Sequence, residues 1–193
     1  MLINHIINSL FSSCTYVIDM GADFVWLVDC GDVEPLLPVI GRKVVSGVLL
    51  THAHFDHIYG LNGLLELFPN AMVYTNSAGR EALLDDRKNL SRYHESPFTF
   101  RHPENIRQVD DGDAISLGQD LQAKVCATPG HNPACLSYAV DLALFTGDSL
   151  IPGLKTVTNL PNADKALAAE SEQRLLRMAR EQGLTVYPGH PAP

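Results

Sequence analysis

Residues 44–57 read Val44-Val45-Ser46-Gly47-Val48-Leu49-Leu50-Thr51-His52-Ala53-His54-Phe55-Asp56-His57. The first seven are almost wholly apolar, the pattern of a short strand buried on both faces. That strand delivers the chain into three histidines and an aspartate. In an extended segment alternate side chains point the same way, so His52 and His54 can share one cation. The chain then turns into the helical spacing of 58–68, set by Leu61, Leu64, Leu65 and Phe68, and there Asp56 and His57 can face a second position. Imidazole with carboxylate suits zinc, iron or manganese better than calcium, which prefers oxygen shells.

Outward from this cluster, three further donors each follow a strand-like run. His131 closes Pro129-Gly130-His131 after 121–127, Asp148 follows Phe145-Thr146-Gly147, and His190 closes Pro188-Gly189-His190 after 184–187. Residues at the same ends of several strands are how a sheet protein gathers distant ligands on a rigid scaffold. Taken alone, Asp148 could be a turn residue after glycine. Asp29, before Cys30-Gly31, could simply bond local amides. Five histidines matching in type, spacing and order are poorly explained by coincidence. His5, His94 and His102 read as ordinary structural or surface residues.

With the opening Val28-Asp29-Cys30-Gly31 turn, the HxHxDH cluster and the later His131, Asp148 and His190, the chain resembles the metallo-β-lactamase superfamily over nearly its whole length. The resemblance implies an α/β fold, a four-layer αββα sandwich, as a single domain over residues 1–193. It implies that His52, His54 and His131 bind a first metal, that Asp56, His57 and His190 bind a second, and that Asp148 bridges both. Asp29 would support the site from behind the ligands. The implied cofactors are two divalent metal ions, zinc first, with iron or manganese next. Water shared by two such ions has its pKa lowered from about 15.7 toward ~7, so hydroxide could attack a carbonyl carbon while a metal stabilises the oxyanion. Asp56 and Asp148 are the implied catalytic carboxylates, Asp56 as the group that orients the hydroxide and accepts its proton. Lys155, in Gly153-Leu154-Lys155, lies in a loop that carries basic substrate-binding residues in glyoxalase II-like members. Tyr59, Tyr93 and Asn159 also lie near the expected site loops but read as surface or packing residues.

Composition narrows the substrate. The formal charge of −8 sets 14 Lys and Arg against 22 Asp and Glu, which disfavours a polyphosphate partner. Nucleic acid is therefore not an expected partner, and a phosphodiesterase or nuclease of the same fold is the alternative rather than the leading reading. The leading reading is hydrolysis of a small activated ester, a thioester or lactone, with a small molecule as the partner. A single-iron persulfide dioxygenase is the other alternative. A β-lactamase ranks lower, because the antibiotic-hydrolysing members generally lack the aspartate seen here as Asp148. The sequence stops three residues after His190, so no appended helical substrate domain is expected. S-lactoylglutathione should then be a poor substrate, and a compact ester framed by residues 85–105 and 151–159 a better one.

Cys14, Cys30, Cys126 and Cys135 form no CxxC pair and sit in apolar runs, as reduced core residues would. Met1 to Asp19 carries no Lys or Arg and makes a poor signal peptide. No stretch approaches the ~20 apolar residues of a membrane span. A cytoplasmic location without a membrane partner is the expectation. Strands are expected at 14–18 and 24–29 around a Met20–Asp23 hairpin, at 71–75, and as a meander through 106–109, 114–117, 121–127, 135–140 and 143–146. Asn162 is the expected cap of a long helix reaching Gln182, with Gly183 as its stop.

Overall fold

A computed structural model describes residues Met1–Pro193. Strands β1 (Leu2–Ile7), β2 (Cys14–Asp19) and β3 (Phe24–Val28) lead to a short helix α1 (Leu37–Ile40) and β4 (Val44–Leu49). Helices α2 (Phe55–Ile58) and α3 (Leu61–Leu67) precede β5 (Met72–Thr75), α4 (Ser77–Leu83) and β6 (Ile106–Gln108). The second half runs β7 (Ala114–Gly118), β8 (Leu121–Ala127), β9 (Leu136–Val140), β10 (Ala143–Gly147), α5 (Lys165–Gln182) and β11 (Thr185–Pro188).

Two sheets result. One has the order β1-β2-β3-β4-β5-β6, antiparallel through β3 and parallel beyond it. The other runs β11-β10-β9-β8-β7, antiparallel except for the β10–β11 pair.

The period-two alternation of a strand decides which side each residue faces. Tyr16, Ile18, Trp26 and Val28 pack with Val125, Tyr138 and Phe145 of the other sheet, forming the core between the sheets. Their neighbours Val17, Val25 and Leu27 face the opposite way, onto Leu61, Leu64 and Leu65 of α3. On the outside of the second sheet, Leu144 meets Leu175 of α5. The layers are thus helix, sheet, sheet, helix. Full burial of one such aliphatic side chain stabilises by about 1.5–3 kcal/mol, so the two large clusters outweigh any single polar contact.

Three local expectations change. Strand β1 was not expected, because Asn4 and His5 interrupt its apolar pattern and its outer residues Leu2 and Ile7 are exposed. Its pairing with β2, Ile3 opposite Ile18, supplies what local sequence does not. The single helix expected over 58–68 is split at Gly60, whose N–H bonds the Cys30 carbonyl and whose Cα lies against the Gly31 carbonyl so closely that a Cβ would overlap it. Only glycine fits there.

The cap of α5 is Asp164 and not Asn162. The Asp164 carboxylate accepts from the N–H groups of Ala166 and Leu167 at 2.8 and 3.0 Å, while Asn162 holds a turn at φ 64°. Asn162 suits that left-handed backbone, and Asp164 is extended as a cap must be. Gly183 ends the helix at φ 66° as expected. Asp164→Ala should cost about 1 kcal/mol in urea denaturation, whereas Asn162→Gly should cost nothing measurable; equal losses from both would return the cap to Asn162.

All four cysteines are free and buried. No helix is long and apolar enough to cross a membrane.

Candidate metal centre

Side chains from both sheets meet at one end of the sandwich. His52 and His54 lie on the segment leaving β4, and Asp56 and His57 on the first turn of α2. His131 follows β8, Asp148 follows β10 and His190 follows β11. The last segment stitches the sheets together: Gly189 N–H donates to the Gly147 carbonyl, and the Gly189 carbonyl accepts from Cys14 N–H at 2.7 Å.

Helix α5 braces the His131 turn. Ser171 donates to the Pro129 carbonyl, and Asp164 N–H donates to the Gly130 carbonyl. Gly130 sits at φ 136°, and a Cβ on it would run into the Ala168 backbone. Both the conformation and the close approach demand glycine.

Three sets of donor atoms each lie within 4.8 Å of one another: His52, His54 and His131; His52, His57 and Asp148; Asp56, His57 and His190. His54 Nδ1 is 3.0 Å from His131 Nε2. Asp148 stands between the outer sets, with Oδ2 at 3.4 Å from His131 Nε2 and 3.5 Å from His190 Nε2, and Oδ1 at 3.5 Å from His57 Nε2. Asp56 Oδ2 is 3.3 Å from His190 Nε2 and 3.4 Å from His57 Nε2.

The outward-facing nitrogens explain why the inward-facing ones are available. His131 Nδ1 donates to the Val157 carbonyl at 2.8 Å, and His190 Nδ1 to the Phe11 carbonyl at 3.0 Å. His57 Nδ1 donates to Asp29 Oδ2 at 2.9 Å. A neutral imidazole that donates from one nitrogen offers a lone pair at the other, so in their neutral form all three rings would aim Nε2 inward as an acceptor. Buried polar atoms are normally paired. Yet His52 Nε2, His57 Nε2 and Asp148 Oδ1 are buried with no hydrogen-bond partner. Lone pairs turned toward one another and left without donors are what cations satisfy. The donor set fits divalent transition metals.

Asp29 holds this arrangement from beneath. It occupies φ 57° at the end of β3, and its carboxylate accepts from Thr51 N–H at 2.7 Å, Thr51 Oγ1 at 2.7 Å and His57. Burial pushes its pKa up, against the pull of His57 and Thr51.

The imidazoles divide electrostatically. Burial holds His52 well below the usual histidine range and, with His131 close by, brings His54 down to about 3. For His57 burial acts in the same direction, but Asp56, Asp148 and Asp29 outweigh it and raise the pKa to about 9. His190 reaches about 10 for the same reason, through Asp148 and Asp56. Burial works against ionisation of Asp148 too, yet His57 and His190 hold it well below the carboxylate range. Three nearly buried carboxylates therefore call for compensating positive charge, from protons or from cations.

The cavity over these groups is lined by Phe11, Phe55, Leu90, His94, Val157 and Leu160, together with His54, Asp56, His131, Asp148 and His190. The structure does not bring Lys155 to it; that side chain is exposed outside the lining. Tyr59 instead donates to Asp32 at 2.7 Å, and Tyr93 is turned to solvent. His94, read from sequence as an ordinary residue, packs at a tilt against Phe55 with centroids 4.8 Å apart and belongs to the cavity wall. Phe11 gave no signal in sequence, because the hairpin that carries it begins with the unexpected β1.

The model of the metallo-beta-lactamase superfamily matches residues 8–190. This chain belongs to the metallo-beta-lactamase superfamily. Among its relatives of known structure, the B3 metallo-beta-lactamase BLEG-1 is 27% identical, with a TM-score of 0.84 over 98% of this chain and 91% of that one. The protein TTHA1623, solved in a di-iron-bound form, is 26% identical, with a TM-score of 0.81 over 97% and 91%. A hydroxyacylglutathione hydrolase of Aliivibrio fischeri is 33% identical over 140 residues, 66% of this chain and 47% of its own length. The chain thus spans less than half of that hydrolase. The superfamily's two-sheet sandwich is the fold described above, and the His-rich cluster sits at its edge.

Proposed function

We propose that the chain is a binuclear metal-dependent hydrolase that cleaves a small activated ester, a thioester or a lactone. The observation that carries this reading is the set of seven converging donor side chains, three of whose inward atoms (His52 Nε2, His57 Nε2 and Asp148 Oδ1) lack partners, and whose two outer sets meet at Asp148. His52, His54 and His131 would hold one cation, Asp56, His57 and His190 the other, and Asp148 would serve both. Zinc is the first expectation, with iron or manganese next. Bound there, divalent cations supply Lewis acidity and make water nucleophilic near neutral pH.

The protein's own contribution is placement. Asp29, the Val157 carbonyl and the Phe11 carbonyl fix the ring orientations of His57, His131 and His190. Asp56 is one of two cavity carboxylates, held ionised by His57 and His190 against its burial. It would orient the attacking water and accept its proton at a carboxylate oxygen. The apolar wall would reduce the access of bulk water to the reacting carbonyl.

Purified, metal-replete protein should contain two equivalents of transition metal per chain by elemental analysis, and His190→Ala about one. A wild-type value of one that His190→Ala leaves unchanged would remove the binuclear centre and promote a single-iron dioxygenase. A panel of thioesters, lactones and bis(p-nitrophenyl) phosphate separates the reaction classes. Turnover of the phosphodiester alone would replace the ester reading with a phosphodiesterase.

A further inference from the structure

The cavity encloses ≈ 250 Å³, below the ~300–1,000 Å³ of a typical small-molecule site, so it suits a compact substrate. Its two walls differ in kind. The inner wall is the donor cluster. The outer wall is Phe11, Phe55, Leu90, Val157 and Leu160 with the imidazole of His94.

Phe55 and His94 form a tilted ring pair, and the Phe11 ring stands 5.8 Å from the same imidazole. Phe11 remains 65% exposed, a large apolar ring at the mouth with little of the molecule against it. Its backbone and that of Ser12 lie at φ 52° and 57°, and Leu90 at φ 65°. Bulky residues in the left-handed region are uncommon, and such strain gathers at sites that hold ligands. At Phe11 that conformation serves two ends: the carbonyl accepts from His190 while the ring overhangs the cavity.

The charges in the lining are as informative. Its acidic side chains are Asp56 and Asp148, both part of the donor cluster, and it contains neither lysine nor arginine. A carbonyl presented to the inner wall must lay the rest of the molecule against the outer one. An apolar group gains by leaving water there. A carboxylate laid against that outer wall would lose hydration and meet no lysine or arginine to replace it.

We propose that the substrate is an uncharged ester or thioester with a compact apolar acyl group, selected over anionic counterparts by the wall of Phe11, Phe55, His94 and Leu160. This rests on the ester-cleaving reading above and names its substrate class. In the reaction the oxygen of water bonds to the acyl carbon, and the bond to the alcohol or thiol breaks with its electron pair. One proton leaves the water and one reaches the leaving group, so no oxidant or reductant is required.

The test compares p-nitrophenyl hexanoate with the p-nitrophenyl monoester of adipic acid on the metal-loaded full chain, spontaneous hydrolysis subtracted. The two share leaving group and acyl length and differ in a terminal methyl against a carboxylate. The expected kcat/KM ratio favours hexanoate by about tenfold or more, the scale on which pocket contacts discriminate. Leu160→Arg should narrow the ratio at least several-fold by improving the adipate ester, and His94→Arg is the second variant should the first fail to fold. Phe11→Ala should lower kcat/KM for hexanoate several-fold with metal content unchanged.

A wild-type ratio near one overturns the proposal and leaves the hydrolase reading standing. So does a preference for the adipate ester that Lys155→Ala abolishes, which would assign the anion to Lys155. No turnover of either ester by fully metallated protein would instead bring down the ester reading itself, and this inference with it.

Discussion

Asp148→Ala is expected to lower turnover by more than about 10³-fold, roughly 4 kcal/mol of transition-state stabilisation, while leaving the chain folded. The reason is position. Asp148 offers Oδ2 to His131 and His190 and Oδ1 to His57, so one carboxylate faces both outer donor sets. Its loss would leave facing imidazoles without the charge that would compensate the two proposed cations. The core does not depend on it, because the three apolar clusters are built from other residues. Circular dichroism with a turnover assay checks both halves, and His131→Ala should behave alike. Full activity in either variant would contradict the assignment of the site.

Asp29→Asn should be nearly as damaging through a different route. The carboxylate accepts from three donors, Thr51 N–H, Thr51 Oγ1 and His57 Nδ1, and is 1% exposed. An amide keeps the shape but carries one oxygen. With that oxygen on Thr51 N–H, its NH₂ group faces His57 Nδ1, which must then accept. The His57 proton moves to Nε2, the atom turned toward Asp56 and Asp148. Metal affinity should fall on the order of 10–100-fold, the usual cost of losing such an outer partner. Asp29→Ala should add a stability loss of roughly 1–3 kcal/mol for each buried donor left without a partner. Competition with a chelator and urea denaturation measure the two effects. An Asp29→Asn protein that binds metal as tightly as the wild type would remove Asp29 from the account of the site.

Much of this site is legible in the sequence, for a physical reason. Strand periodicity and the turn after β4 are local, so the facing of His52, His54, Asp56 and His57 followed from spacing alone. The layers were legible through the resemblance, and the helix stop at Gly183 through its residue type. What escaped depends on distant contacts. Strand β1 exists because Ile3 and its neighbours pair with β2. The helix break at Gly60 exists because the Gly31 carbonyl occupies the space. The cavity wall joins Phe11 to Phe55, Leu90, His94 and Leu160, residues related by no repeat. Lys155 shows the converse. Its place in a loop near Asp148 suggested contact with substrate, but a loop's neighbourhood does not fix where a side chain points.

The seam at Pro188-Gly189-His190 has a consequence for how the molecule is made. His52 is followed at once by residues that fold locally, but its partners arrive in order of synthesis, with His190 last. The Gly189 backbone then ties Cys14 to Gly147 across the two sheets. During translation the first sheet can pair its six strands while the centre still lacks three of its seven donors. If the proposed function holds, catalytic competence would therefore appear only when the segment carrying His190 docks. A nick or delay near residue 189 would yield a protein with nearly all its secondary structure and an incomplete donor set.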